Sequence, residues 1–466
     1  METVTNWHKF ENNPLFHGTG NMVLKKMNGF YLILNPDLPN MMVADTLGVE
    51  IFRLCDGKRS ANEVIKEASS KLQLDEESVK NYVQSLIHAG FLATSPPFSI
   101  KALRTADKLR SLVLHLTEGC NLRCKHCYFA SEASVEGELS KSEFLSVIQQ
   151  FAELGGESLL ITGGEPLLEK EKLYAVIKEA KKNKIDRILV NTNGTLLTEF
   201  DAVFFKENNV NVGVSLDGAT PQTHDYIRGK GAFEKAVEGI KILLAHGITT
   251  TIGTTLMKPN LHEAHEILYL AKKLGLPSIN YVVLKTKGRA TDNRLTLEFT
   301  VEELMATMKR ILRTSKETGV KSSFEELQPS AINMTKRDLC GAGIGLLGLA
   351  ANGDVYPCDA LHEAPLRAGN IREKSLGEIW KNSPILKSFQ ELSVTIIEGC
   401  RDCEFKFICG NGCPADSFVA YGTFKKCSPL CPMYKEIFDY MISEAANELW
   451  RETMEENKPM SDLSIS

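Results

Sequence analysis

The pattern of apolar and polar positions changes twice along the chain. In residues 20–55, short apolar runs read as strands followed by a helix, and GFYLIL at residues 29–34 is aromatic and β-branched enough for a strand. Two helices are predicted next. Ser60 caps ANEVIKEASSKL, and Asp75 caps EESVKNYVQSLIHAG. In the second, Val79, Tyr82, Val83, Leu86 and Ile87 recur at helical spacing, and Gly90 ends it. The turn-rich SPPF of residues 95–98 closes a small strand-and-helix module over residues 1–100.

From residue 110, strands alternate with helices. SLVLHLT, SLLIT, RILVNTN, VNVGVSL, ITTTIGTTL and SINYVVL are six candidate strands. Amphipathic stretches such as KSEFLSVIQQFAELG and LHEAHEILYLAKKLG separate them. This alternation predicts right-handed βαβ units and a parallel sheet. Six units are too few to close an eight-stranded barrel. The α/β fold expected for residues 101–330 is therefore an open, partial (β/α)6 barrel with its chemistry at the carboxyl ends of the strands. Beyond residue 330, cysteine, glycine and proline dominate, which predicts a loop-rich region at 331–440 held by metal rather than by a large core. A final helix, MYKEIFDYMISEAANELWRETM, runs into residues 441–466, and the polar last ten residues are expected to be disordered.

Composition narrows the class. The 466 residues are 43% hydrophobic and 24% charged, as in an ordinary soluble protein of two to four domains. A net charge of −5 without a basic run argues against a nucleic-acid partner. No apolar run approaches the roughly 18 residues that cross a bilayer. The start, METVTNWHKFENN, lacks a signal-peptide core. A cytoplasmic location is expected, where thiols stay reduced.

The twelve cysteines carry the chemistry. Cys55, within VEIFRLC, reads as a buried core thiol. The rest fall in two groups, which in a reducing compartment suggests metal. Cys120-x3-Cys124-x2-Cys127 lies in a loop after the first strand of the α/β region. Three thiolates can hold three irons of a [4Fe–4S] cube and leave the fourth open. Zinc is the alternative, although its structural sites usually bring four ligands. His115 and His126 lie nearby, and His126, between two of the cysteines, is expected to point away. Successive strand ends then carry Thr162-Gly163-Gly164-Glu165-Pro166, Asn191-Thr192-Asn193-Gly194, and Ser215-Leu216-Asp217-Gly218 followed by HDYIRG with Arg228. Singly, such NG or DG pairs are ordinary turns.

Together and in order, these segments resemble the radical S-adenosylmethionine (SAM) superfamily. The resemblance implies that the open iron binds the amino and carboxylate groups of SAM and that an electron cleaves SAM to a 5′-deoxyadenosyl radical. It assigns the Gly163, Gly164 and Glu165 segment to the SAM amino group and brings Asn193 to the ligand. The Ser215 hydroxyl and Arg228 guanidinium, in the segment with Asp217, suit the SAM carboxylate.

In the second group, Cys340-x12-Gly353-x4-Cys358 precedes Cys400-x2-Cys403-x5-Cys409-x3-Cys413, then Cys427 and Cys431. The pattern closely resembles the SPASM extension of radical SAM enzymes. That resemblance implies two auxiliary [4Fe–4S] clusters, three clusters in all. The first takes Cys340, Cys358 and Cys413; the second takes Cys400, Cys403, Cys409 and Cys431. GAGIGLLGLA stands where some members have a further cysteine, and Cys427 is extra. Either Cys427 completes the first auxiliary cluster, or that cluster keeps an open iron able to bind a substrate thiolate.

The first module resembles the winged-helix-like leader-recognition domain of enzymes that mature ribosomally made peptides, on GFYLIL, DTLGVEIFRLCDG and the helix pair ending IHAGFL. It implies a precursor peptide whose leader adds a strand to a sheet edge and so holds the core peptide at high effective concentration. A structural or dimerisation module is the alternative. The combined expectation is a peptide maturase that installs thioether (sulfur-to-carbon) crosslinks, reduced by flavodoxin or ferredoxin. Other readings are carbon–carbon or other crosslinks, formylglycine formation on a sulfatase, or a non-catalytic iron–sulfur carrier or zinc scaffold. Asp217, His224 and Tyr281 lie near strand ends, but none identifies itself as a catalytic acid or base.

Overall fold

In the computed structural model the described residues are 11–17, 22–38, 40–94, 104–131, 137–324 and 337–455. The SPPF turn and the last ten residues lie outside them. The chain forms two compact units, one of residues 1–102, 327–340 and 393–466, the other of residues 103–326 and 341–392. This division differs from the sequence expectation of a separate 331–440 domain. Residues 341–392 belong with the barrel, and the later cysteines belong with the N-terminal module.

In the first unit, β1 (Phe16–His17) pairs with β5 (Leu92–Ala93), and β2 (Val23–Lys26), β3 (Tyr31–Asn35) and β4 (Asn40–Ala44) form an antiparallel sheet in that order. Helices Thr46–Leu54, Ala61–Leu72 and Glu76–His88 follow the sheet. The predicted caps are present. Ser60 Oγ accepts the Glu63 N–H while the Glu63 carboxylate accepts the Ser60 N–H at 2.8 Å, and Asp75 accepts the Ser78 N–H at 2.8 Å.

Strands β3 and β4 are apolar at consecutive positions because both faces of the sheet are covered. Alternation sends Ile33, Met42 and Ala44 toward the three helices, in a core that includes Tyr82, Leu86 and the fully buried Cys55. It sends Leu32, Leu34, Met41 and Val43 to the other face, against Phe405, Ile408, Phe438 and Ile442. Register places Leu32 opposite Val43 and Leu34 opposite Met41. The N-terminal sheet thus shares one core with the cysteine-bearing segment and with the last helix, Cys431–Glu455. Lys406 (side chain 6% exposed) reaches Asp37 at 2.5 Å, charge-pairing the same two segments.

The second unit holds the six expected strands. They are β6 (Ser111–His115), β7 (Ser158–Thr162), β8 (Arg187–Thr192), β9 (Asn211–Ser215), β10 (Thr250–Leu256) and β11 (Ser278–Val283), each parallel to the next. The sheet extends beyond them to ten strands. β12 (Lys321–Ser322) lies parallel beside β11; β13 (Leu346–Leu349), β14 (Asp354–Tyr356) and β15 (Gly369–Asn370) continue past β6. The glycine-rich GAGIGLLGLA, read as loop, contains β13, parallel to β6 from Leu346 opposite Ser111 to Leu349 opposite Leu114. Its four-residue run extends the sheet past β6 and carries β14 on its other side. The helix expected from LHEAHEILYLAKKLG starts only at Glu266, because Glu263 turns back to accept the Ala219 N–H and the Thr220 hydroxyl. Among the described residues no helix is long and apolar enough to cross a membrane.

The shared core makes a prediction. Phe438→Ala removes a ring 4% exposed and should destabilise the first unit by about 3–5 kcal/mol. Urea unfolding followed by proteolysis should show the N-terminal helices and the segment after Ser393 becoming cleavable together. Cleavage confined to the C-terminal helix would contradict a common core.

Candidate active site and cluster sites

Cys120, Cys124 and Cys127 lie in the loop that leaves the carboxyl end of β6. Its entry is pinned by Glu138, whose Oε1 accepts the Thr117 hydroxyl and the Glu118 N–H, each at 2.8 Å. The loop is then held by backbone contact with the segment after β7. The Gly164 N–H donates to Thr117 O at 2.7 Å, and the Glu165 N–H donates to Gly119 O at 2.8 Å. A Cβ on Gly163 would stand 2.2 Å from Thr117 O, and one on Gly164 would stand 2.0 Å from Gly119 O. These glycines were expected to bring backbone toward a ligand; what they bring together here is two backbones.

Glu165 is fully buried. Its carboxylate accepts the Thr192 hydroxyl at 2.6 Å, the Asn193 N–H at 2.7 Å and the Leu167 N–H at 3.1 Å. Burial raises its pKa against the pull of these donors. It joins the ends of β7 and β8, so its carboxylate is already engaged by the protein. Asn193 continues the tie: its side chain donates to Asn121 Oδ1 at 2.9 Å, beside Cys120. Ser215 ends β9, half-buried.

Asp217 is the electrostatic hub. It is fully buried and accepts Arg228 Nε at 2.6 Å and the Thr255 N–H at 2.8 Å, with His126 Nε2 at 3.5 Å. Burial opposes its charge, but Arg228 and the two nearby imidazoles, His126 and His224, outweigh that and hold its pKa below the usual range. The Arg228 carbonyl faces Cys124 Sγ at 3.9 Å. One edge of Arg228 is therefore spent on Asp217, and His126 turns toward Asp217. Burial pushes His126 down to about 4, so it is neutral at pH 7.

Sequence reasoning missed Arg289. It is 9% exposed, and its Nε donates to Cys124 O at 3.0 Å, its Nη1 to Ser131 O at 2.8 Å and its backbone N–H to Cys127 O at 2.9 Å. A lone arginine beyond the last barrel strand carries no motif, so only the fold reveals this clamp. Tyr128 and Asp359, next to Cys127 and Cys358, were also passed over; the Tyr128 hydroxyl donates to Asp359 Oδ2 at 3.0 Å. His224 accepts the Asp217 N–H and Tyr281 donates to Ala264 O, both as local structure.

In the other unit, Cys400, Cys403, Cys409 and Cys431 line a small pocket with Asn411 and Lys435. Three successive left-handed residues, Gly410, Asn411 and Gly412 (φ 60°, 65° and 59°), make the turn after Cys409. Cys431 opens the last helix, where the helix dipole favours a thiolate. Burial pushes the Cys409 thiol up to about 12 and the Cys431 thiol up to about 11. Deprotonation therefore needs a positive partner in the cavity, which suits a metal cluster. Cys427, weighed in the sequence as a possible fourth ligand of the first auxiliary cluster, lies in this unit near Cys400. It hydrogen-bonds Cys431 and packs with Cys400, yet does not line the cavity. Cys358 belongs to the barrel unit, Cys340 and Cys413 to the first. Among the described residues no group of three or more His, Cys, Asp or Glu side chains is close enough to hold a single metal ion. A four-iron cube spreads its thiolates wider than zinc, whose sulfur ligands stand about 2.3 Å away.

Comparisons with known proteins agree with this geometry. Residues 114–271 match the radical SAM superfamily, and residues 340–404 match SPASM, an iron–sulfur cluster-binding domain. An AdoMet-dependent heme synthase of Methanosarcina barkeri is 34% identical over 69% of this chain and 96% of its own. The chain belongs to the radical SAM superfamily. This radical SAM enzyme is also similar to the antilisterial bacteriocin subtilosin biosynthesis protein AlbA of Bacillus subtilis, 27% identical over 78% of this chain and 82% of AlbA. Streptococcus suis SuiB bound to precursor peptide SuiA shares the fold, with a TM-score of 0.57 and 14% identity over 88% of this chain and 98% of SuiB. SAM and [4Fe–4S] clusters are the cofactors of this radical SAM enzyme.

Two predictions follow from the site. Gly164→Ala forces Cβ into Gly119 O and should displace the cysteine loop, lowering SAM cleavage about a hundredfold together with iron at that site; unchanged cleavage would contradict the close-packing argument. Cys431→Ser should lose about four irons per chain, whereas Cys427→Ser should keep its full iron content. The reverse result would exchange their roles.

Proposed function

We propose that this enzyme is a peptide maturase that installs thioether crosslinks in a ribosomally made precursor peptide, whose leader the N-terminal module binds. One observation carries the reading. The likeness to SuiB covers a larger share of the chain than residues 103–466 make up, so it reaches into the N-terminal module. That module is packed into the core beside the second thiol set rather than hung on a linker.

When bound, the SAM-site cluster, held by Cys120, Cys124 and Cys127, supplies the electron that cleaves SAM to the radical that takes hydrogen from a substrate carbon. Around it, Glu165 and Asn193 fix the strand ends on which SAM would lie, and by the family resemblance the segments of Gly163, Gly164, Ser215 and Arg228 would hold its polar end. Asp217 keeps Arg228 charged and oriented. Arg289 keeps the cysteine loop in place. Cys340, Cys358 and Cys413 are the proposed first auxiliary ligands. On this reading Cys427 is not a ligand, and the first auxiliary group, with three thiols, would have a position open to a peptide cysteine. For each crosslink the peptide gives up one hydrogen atom from carbon, one proton from the thiol and one electron, and auxiliary clusters held by the later thiols would be the acceptor of that electron. Flavodoxin or ferredoxin is the proposed reductant.

The 34% identity favours a second reading, AdoMet-dependent heme synthesis. The two separate in one experiment. Reduced enzyme and SAM are incubated with a leader-bearing cysteine peptide deuterated at carbon, and in parallel with a heme precursor. The maturase reading predicts deuterium in 5′-deoxyadenosine and a peptide lighter by two hydrogen atoms per crosslink. Turnover of the heme precursor with no change in the peptide would overturn it.

A further inference from the structure

The cavity beside Cys400, Cys403, Cys409 and Cys431 has a polar wall at Asn411, which is 3% exposed. Its Oδ1 accepts the Ser428 N–H at 2.9 Å and the Cys400 thiol at 3.4 Å. A backbone N–H can only donate, so the end facing Ser428 is the oxygen, and the assignment of the amide is fixed by chemistry. Nδ2 is then the other end, and it is buried with no partner. Buried amide donors are nearly always satisfied, and one left open inside a thiol-lined cavity points to a group that the cavity holds.

The backbone makes this placement deliberate. Asn411 sits at φ 65° between two left-handed glycines, a conformation that asparagine tolerates better than most side chains. Its Oδ1 also organises the approach to Cys431: Ser428, held by Asn411, accepts the Cys431 N–H at 2.8 Å and caps the Leu430 N–H with its hydroxyl at 3.2 Å. One end of the amide is therefore engaged by Ser428 and Cys400, and the other is buried beside the thiol-lined pocket with no partner. The thiols that line the pocket bring sulfur, which can accept from such an amide.

We infer that Asn411 donates a side-chain N–H to a sulfur of the cluster held by Cys400, Cys403, Cys409 and Cys431, and so raises the reduction potential of that cluster. A donor to cluster sulfur stabilises the more negative reduced state. The inference rests on the reading that this thiol set holds a cluster.

The test uses the holoenzyme. Redox titration followed by electron paramagnetic resonance identifies the second auxiliary signal as the one missing from Cys431→Ser. Asn411→Asp keeps the acceptor for Ser428 and the backbone conformation but removes the donor; Asn411→Gly removes the donor without adding charge. Both should keep the iron of the wild type and titrate at lower potential. In the wild type, isotope-labelled asparagine should couple magnetically to the reduced second auxiliary cluster, and this readout stands even if a variant loses iron. Unchanged potential in both variants, or no asparagine coupling, would overturn the inference. If Cys431→Ser lost no signal and no iron, the cluster reading itself would fail instead.

Discussion

The site depends on one backbone-to-backbone contact. The segment after β7 lies so close to the cysteine loop after β6 that neither Gly163 nor Gly164 has room for a methyl group. Two N–H···O bonds at 2.7 and 2.8 Å lock the loops together. Everything around Cys120 follows from that fixed pair. Glu165 is carried into the interior, where it accepts three donors and binds β8 to β7; Asn193 then reaches Asn121 beside the first thiol. The chain can present reactive thiols on a loop because the loop has been made as rigid as the strands beneath it.

Buried charge completes the frame. Asp217 and Arg228 are each other's partners at 2.6 Å, and a buried pair of this kind contributes orientation more reliably than stability. Removing either would leave the other uncompensated next to Cys124. Arg289 acts in the same way through the carbonyls of Cys124, Cys127 and Ser131. In the other unit the corresponding rigidity comes from packing. A sheet buried on both faces joins the N-terminal helices to the segment of Cys400, Cys403 and Cys409. A ligand strand added to that sheet would act on the same core that shapes the second thiol cavity.

Much of this was legible in the sequence. Strand and helix periods located all six barrel strands and the caps at Ser60 and Asp75, and cysteine spacing separated the two thiol groups. What the sequence hid was long-range. The apolar run of β13 is too short and glycine-rich to be told from a loop until β6 is beside it. The sequence marked GFYLIL as a strand, but not that both faces of its sheet are covered. Arg289 and Asn411 belong to no motif, and their roles arise from groups brought to them by folding. The sequence singled out Glu165 and Asp217 but not the protein donors that their carboxylates accept. Spacing also gave no sign that Cys427 hydrogen-bonds Cys431 and packs in one cluster with Cys400.

The account's central claim is that ten cysteines serve one SAM-cleaving cluster and two auxiliary clusters. Iron and acid-labile sulfide, counted on protein purified and reconstituted without oxygen, test it most directly, with 5′-deoxyadenosine measured on the same sample. The account predicts about twelve irons and as many sulfides per chain, with SAM cleaved on reduction. About four irons with cleavage intact would contradict it, leaving the thiols after Cys340 without the role assigned to them.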